Sequence, residues 1–226
     1  MFNQRLTPIV KNIIFLNVGF FILQMLTANS IFNIKYYLSL YNFHSDRFLP
    51  FQYITYMFLH ADFMHLLFNM LPIYFFGAHL EELLGERKFI LFYLVCGIGA
   101  GILYSFVHNY EINTLIESKS LLFESYEHLV ANRKYLQDIP MLGASGAVFG
   151  VLMASALYFP NATLVLFPIP IPIKMKYFVM IYAVIELYSG VYRAKGDNVA
   201  HFAHLGGMVF AYLLVTYWRK RGDITY

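Results

Sequence analysis

Cysteine is all but missing from this chain: Cys96 is the only one among 226 residues. A disulfide scaffold or a thiolate metal site within one chain is therefore excluded. Charge is scarce as well. Asp, Glu, Lys and Arg together make up 13% of the residues, against about 25% in a soluble domain, which removes the chain from that class. The net charge of +3 is small and spread over the loops, so nucleic-acid binding has no support. Acidic residues are nearly absent from the apolar stretches, which argues against ion-coupled transport. The zinc-protease signature HExxH does not occur. No internal repeat or low-complexity linker is present.

What the chain has in abundance is apolar surface: 59% of residues, with a mean hydropathy of +0.57. These residues come in blocks of about 20 rather than in alternation, the mark of membrane-spanning helices. Six blocks stand out, at about 9–28, 56–77, 89–108, 143–159, 173–190 and 199–218. They predict an all-α polytopic membrane protein, a six-helix bundle that leaves no room for a separate soluble domain, so residues 1–226 form one membrane domain. The first block lacks a convincing small-residue cleavage site after it and reads as a retained helix rather than a signal peptide. Arg5, Lys11, Arg87, Lys88, Lys174, Lys176, Arg219, Lys220 and Arg221 mark tight turns and tails on one side. The Lys and Arg residues of the other side are spread over longer loops. That density predicts cytoplasmic N and C termini.

Between the first two blocks lies a loop rich in aromatics (Tyr36, Tyr37, Tyr41, Phe43, Phe48, Phe51), which favour the headgroup zone. The stretch 109–140 is the most polar. Leu121, Leu122, Tyr126, Leu129, Val130 and Leu136 recur there at near-helical spacing, predicting a surface amphipathic helix in part of it. The alternating prolines at 168, 170 and 172 forbid a helix and predict an extended connection. Gly97 with Gly101, Gly146 with Gly150, and Gly207 with Ala211 are small-xxx-small pairs that let helices approach closely. The fourth and sixth helices are thereby expected to be neighbours.

The chemistry concentrates in three segments. Gly143-Ala144-Ser145-Gly146 opens the fourth block. A helix from Ser145 to Tyr158 would be about 21 Å long, short of a hydrocarbon core about 30 Å thick. Its start therefore lies below the surface, under a dent that can hold the water a hydrolysis needs. A free hydroxyl is a poor nucleophile and needs a base. The sixth block offers His201 and His204. Gly207, three residues after His204, clears space on the same face, so His204 is preferred as base, with His201 nearer the water. In the second block His65 and Asn69 lie four residues apart on one helical face, and both can donate hydrogen bonds to a developing oxyanion. An interhelical hydrogen bond would account for Asn69 equally well. His60 and Asp62 are expected at the outer boundary. Glu186 is the one acid of note in the fifth block, but nothing in the sequence positions it near His204, so a serine–histidine dyad is the more economical reading.

These residues together resemble the rhomboid intramembrane serine proteases, over nearly the whole chain. The family's GxSG matches Gly143, Ser145 and Gly146. Its HxxxN matches His65 and Asn69, with the frequent upstream histidine at His60. Its AHxxGxxxG matches Ala203, His204 and Gly207, with Ala211 in place of the last glycine. The charged turn Gly77–Gly85 also resembles the family's. The resemblance implies Ser145 as nucleophile, His204 as general base and acid, and an oxyanion hole from His65, Asn69 and the Ser145 backbone N–H. It implies Phe149 against the catalytic histidine where relatives often have tyrosine. It also implies lateral substrate entry gated by the fifth helix and the loop through Asp197. Substrates would be single-pass transmembrane proteins in the lipid bilayer, with no cofactor and no metal. The expected location is a bacterial plasma membrane. The alternatives are a catalytically inactive relative that binds transmembrane clients, and a metal- or haem-binding protein using His60, His65, His201 and His204. The latter is weakened because the sequence offers the histidines no evident carboxylate partner.

Overall fold

The computed structural model describes residues 6–119, 126–166, 169–192 and 200–223. Helices stand at each of the six expected positions. Label them α1 (Pro8–Thr27), α2 (Phe63–Leu84), α3 (Glu86–Lys119), α5 (Ser145–Tyr158), α6 (Met175–Val191) and α7 (His201–Arg221), with α4 (Tyr126–Gln137) between α3 and α5. Among the described residues, three segments are long and apolar enough to cross a membrane by themselves: Pro8–Thr27, Phe63–Leu84 and Glu86–Ser118. Helix α5 is apolar but shorter, at 14 residues. Length and composition thus support three spans directly, not the expected six.

Several boundaries move for identifiable reasons. The second helix does not begin at 56: residues Tyr56–Phe58 make one 3-10 turn, and the helix starts at Phe63. Asp62 sets that start, its carboxylate accepting the His65 backbone N–H at 2.8 Å as an N-cap. At the other end Pro72 lies inside the helix and is followed by one π-helical turn, Ile73–Gly77, in keeping with the hydrogen bond that a proline removes. The segment expected as a charged turn, Gly77–Gly85, is mostly helix, because Ala78–Leu84 continues α2. Its acid Glu81 is 3% exposed and faces the start of α1. It accepts from Thr7 Oγ1 at 2.5 Å and from the backbone N–H groups of Ile9 and Val10 at 2.9 and 2.8 Å. First-turn amides have no intrahelical acceptor and carry the positive end of the dipole, so one carboxylate serves both needs.

Helix α3 runs past residue 108, where the apolar block ends, to Lys119. No glycine or proline follows Gly101 in that stretch, so nothing breaks the backbone when the side chains turn polar. At 34 residues it is about 51 Å long, so its end projects beyond a hydrocarbon core. The amphipathic helix expected in 109–140 divides between this extension and α4, where Arg133 donates to Asn113 at 2.9 Å; Leu121 and Leu122 lie outside the described residues. The proline-rich connection is β2 (Ile169–Lys174), paired antiparallel with β1 (Thr163–Leu166).

The aromatic loop is pinned rather than free. Leu40 and Met141 exchange two backbone hydrogen bonds, at 2.9 and 2.8 Å. Ser45 donates to Asp138 at 2.5 Å, and Lys134 lies 2.7 Å from Asp46, holding that carboxyl below its ordinary range. The fully buried Gln52 donates to the carbonyls of Tyr37 and Arg47 and accepts from Leu49.

Helix α5 is apolar on all sides and buried along most of its length, as a central helix must be. It packs against α3 and α7 at backbone distance. A Cβ on Gly146 would meet Ala100 of α3 at 2.4 Å, and one on Gly207 would fall 1.8 Å from the Gly146 carbonyl oxygen. The expected α5–α7 neighbourhood is thereby realised, and Ala211 of α7 is fully buried. Gly97 and Gly101 serve other neighbours: Met57 covers the first, while Leu40, Tyr53 and Tyr56 cover the second.

Candidate active site

Ser145 is the first residue of α5, so its placement follows from what precedes the helix. The Leu40–Met141 bridge holds one end of the approaching segment, and the Gly143 N–H donates to the Tyr56 carbonyl at 2.9 Å. Tyr56 is in turn fixed by its hydroxyl, which donates to the Gly97 carbonyl at 2.7 Å. Gly143 has φ +131°, a conformation that L side chains rarely adopt. Space alone also demands glycine there, since a Cβ would lie 2.8 Å from His65 Cε1. The backbone amides of the first turn of α5 have no intrahelical acceptor and carry the positive end of the helix dipole.

Helix α7 brings His204 to the serine. Its Nε2 lies 2.8 Å from Ser145 Oγ, across 59 residues of sequence. The ring stacks on Phe149, one turn into α5, with centroids 4.2 Å apart and planes 8° from parallel. Tyr182 of α6 backs the phenyl ring at 5.4 Å. The stack fixes the imidazole plane without any hydroxyl, so phenylalanine supplies the orientation.

Helix α2 contributes a different edge. His65 Nδ1 accepts the Ala61 N–H at 3.2 Å, so in the neutral ring the proton sits on Nε2. That Nε2 faces Gly143: a Cβ built there would be 2.9 Å from it and 3.8 Å from Ser145 Oγ. A donor is therefore aimed at the neighbourhood of the serine. Asn69 is buried, and its amide donates to the His65 carbonyl at 2.8 Å, which leaves its second hydrogen available. His60 corrects an expectation. It lies fully buried rather than at a wet boundary, its ring edge-on to His65 at 5.1 Å between centroids. The reason is Gln24 of α1, which binds the His60 backbone on both sides and draws the segment inward. Of the two residues expected at the boundary, only Asp62 is exposed.

Glu186 is the residue that sequence reasoning noted and could not connect. It is 6% exposed, and its Oε2 lies 2.6 Å from His201 Nδ1 and 3.0 Å from His204 Nδ1. The contact with His201 is well aligned; the one with His204 is within range but off the N–H axis. The expectation that the histidines lack a carboxylate partner is overturned, and so is the separation of Glu186 from His204. The signal was its chemistry: an ionisable residue in a membrane helix is costly and is almost always paired with another polar group. Glu186, His201 and His204 also place their donor atoms within 4.8 Å of one another. They are engaged with each other and with Ser145, while His60 and His65 stand outside that group. Asp197 lies outside the described residues.

The Rhomboid domain matches residues 48–221 of this chain, spanning every element just described from the 3-10 turn to the end of α7. The chain belongs to the rhomboid family. Among its relatives, the RHOMBOID-like protein 12, mitochondrial, of Arabidopsis thaliana is 27% identical over 90% of this chain and 56% of its own length. The rhomboid protease AarA of Providencia stuartii is 27% identical over 70% of this chain and 52% of its own. Rhomboid protein 1, mitochondrial, of Saccharomyces cerevisiae is 31% identical over 72% and 40%. The chain thus spans about half the length of the curated rhomboids it matches. The expected bacterial plasma membrane is corrected by these relatives: those from plant and yeast are named mitochondrial, as is the mouse presenilin-associated rhomboid-like protein. That finding overturns the bacterial assignment, and the cytoplasmic placement of the termini goes with it. Lysine and arginine density reports the side of a membrane a loop faces, and carries no information on which membrane it is.

Proposed function

We infer that this rhomboid is an intramembrane serine endopeptidase, with Ser145 as nucleophile and His204 as its base. The observation that carries the reading is the 2.8 Å contact between His204 Nε2 and Ser145 Oγ. The Ser145 hydroxyl gives its proton to His204 Nε2 as Oγ attacks the scissile carbonyl, and the carbonyl π electrons move to oxygen. The His204 imidazolium then returns that proton to the departing amine as the C–N bond breaks, and water repeats the cycle on the acyl-enzyme. The developing oxyanion is met by the Ser145 N–H at the positive end of α5, by His65 Nε2–H, and by the remaining Asn69 N–H. Loss of one such donor costs about 10²–10³ in rate.

The substrate class is transmembrane segments of single-pass membrane proteins. Two features support it: the large apolar area exposed on α1 and α6, which suits a lipid setting, and the Ser145 end of a helix too short to cross the bilayer alone. The chain would span the membrane six times, with α5, α6 and α7 completing the three self-sufficient spans, in a mitochondrial membrane as in the plant, yeast and mouse relatives.

The test is active-site labelling with a fluorophosphonate probe, run beside cleavage of a model transmembrane substrate. Labelling and cleavage should both disappear in Ser145→Ala and in His204→Ala while the protein stays folded. Turnover near wild type in either variant would refute the assignment. A folded wild-type chain that never labels would favour an inactive, client-binding relative.

A further inference from the structure

A carboxylate reaches the far side of the proposed base. Glu186 is held on α6 with its Oε2 between two imidazoles, at 2.6 Å from His201 Nδ1 and 3.0 Å from His204 Nδ1. All three side chains are buried to within about a tenth of their surface. The geometry points to Glu186 as a positioning residue that makes Ser145 and His204 part of a triad, with His201 anchoring the carboxylate. This rests on the reading of Ser145 and His204 as nucleophile and base.

The chemistry follows from which nitrogen faces which oxygen. A carboxylate accepts and cannot donate, so Oε2 selects the form of each ring that carries hydrogen on Nδ1. For His204 that leaves an unprotonated Nε2 facing Ser145 Oγ, the form that can take the hydroxyl proton. When the proton arrives, His204 bears positive charge with Glu186 already beside it, in a site where water competes little. Glu186 stays ionised throughout. It receives no proton and none of the electrons that move between Oγ, the acyl carbon and the leaving nitrogen. The well-aligned His201 contact keeps the carboxylate from rotating away. The off-axis approach to His204 leaves room for that bond to shorten once the ring becomes charged, as such contacts do on the way to reaction.

A purely architectural role is the rival account: Glu186 and His201 join α6 to the first turn of α7, which would matter for stability alone. The two are separated by kinetics and by the proton itself. Full-length wild type, Glu186→Gln and Glu186→Asp are compared in detergent for kcat, KM, thermal midpoint and the ¹⁵N-histidine NMR signature of the His204 tautomer. A positioning role predicts that Glu186→Gln lowers kcat by about 10²–10⁴-fold with KM within about twofold, and that His204 loses its Nδ1–H form. Glu186→Asp, which keeps the charge one methylene shorter, recovers part of kcat and retains that form. The proposal is overturned if Glu186→Gln keeps wild-type kcat and tautomer. It is equally overturned if activity falls only in step with the thermal midpoint while the tautomer stays unchanged. Should Glu186→Gln not fold, Glu186→Asp decides the matter: a kcat below wild type at an unchanged thermal midpoint supports the proposal, and a wild-type kcat, or a fall only in step with the midpoint, overturns it. If wild type neither labels nor cleaves, the protease reading fails, and the tautomer comparison still decides whether Glu186 orients His204.

Discussion

Gly207→Ala tests the link between helix packing and the proposed chemistry. The added methyl would lie 1.8 Å from the Gly146 carbonyl oxygen. Carbon–oxygen contacts sit at about 3.3 Å or more, so α5 and α7 must part by about 1.5 Å at that level. Neither side can yield by rotating a side chain, because both atoms are tied to helix backbone, and α5 is already backed by Ala100 of α3. His204 is one turn along α7 from Gly207, and Ser145 adjoins Gly146, so the displacement passes into the 2.8 Å Oγ–Nε2 contact. An ångström of misplacement costs about 10²-fold in rate, and overpacking costs about 1–3 kcal/mol of stability. The assay is cleavage of a model transmembrane substrate and fluorophosphonate labelling, with the thermal midpoint measured in the same detergent. The control is Gly19→Ala in α1, where nothing lies within 4 Å of the new Cβ; the same methyl there should be neutral or slightly stabilising. A Gly207→Ala protein that cleaves within about threefold of wild type would refute the reasoning, since a shift of that size cannot leave such a contact intact.

Further expectations concern other parts of the site and frame. Phe149→Leu removes the ring stacked on His204, and should lower kcat by about 2–10-fold, the kinetic equivalent of a 0.5–1.5 kcal/mol aromatic contact; unchanged kcat would show that the imidazole is oriented by other groups. Asn69→Ala should slow cleavage without ending it, because two other donors remain, and an unchanged rate would remove Asn69 from the oxyanion hole. Asp62→Ala deletes the cap of α2 and should cost about 1 kcal/mol of thermal stability; no change in the midpoint would count against the capping role. Glu81→Leu leaves the α1 amides and Thr7 without their acceptor and should destabilise by about 2 kcal/mol or more, read as a lower thermal midpoint with the labelling rate of the remaining folded protein unchanged.

Residues whose meaning is local were legible in the sequence. Ser145 was expected at a helix start and is the first residue of α5. The small residues Gly146, Gly150 and Gly207 announced the α5–α7 interface, and the alternating prolines announced an extended strand. The end of α3 was less legible because hydropathy tracks the membrane and not the backbone, which continues helical to Lys119. The burial of His60 was not legible either. It depends on Gln24, which is 36 residues away and reaches it only after α1 has packed.

The sequence by itself determined where helices could form, which of them are apolar, and which residue types were available for acyl chemistry. Those follow from neighbours within a turn or two and from the cost of leaving polar groups in lipid. Only the tertiary structure decided that His204 meets Ser145 across 59 residues, and that Glu186 sits between two histidines of another helix. It alone decided that Gly207 lies against the Gly146 carbonyl. Periodicity specifies the face a side chain occupies on its own helix, but the facing residue on the partner is set by the relative height and rotation of whole helices, which only their packing resolves.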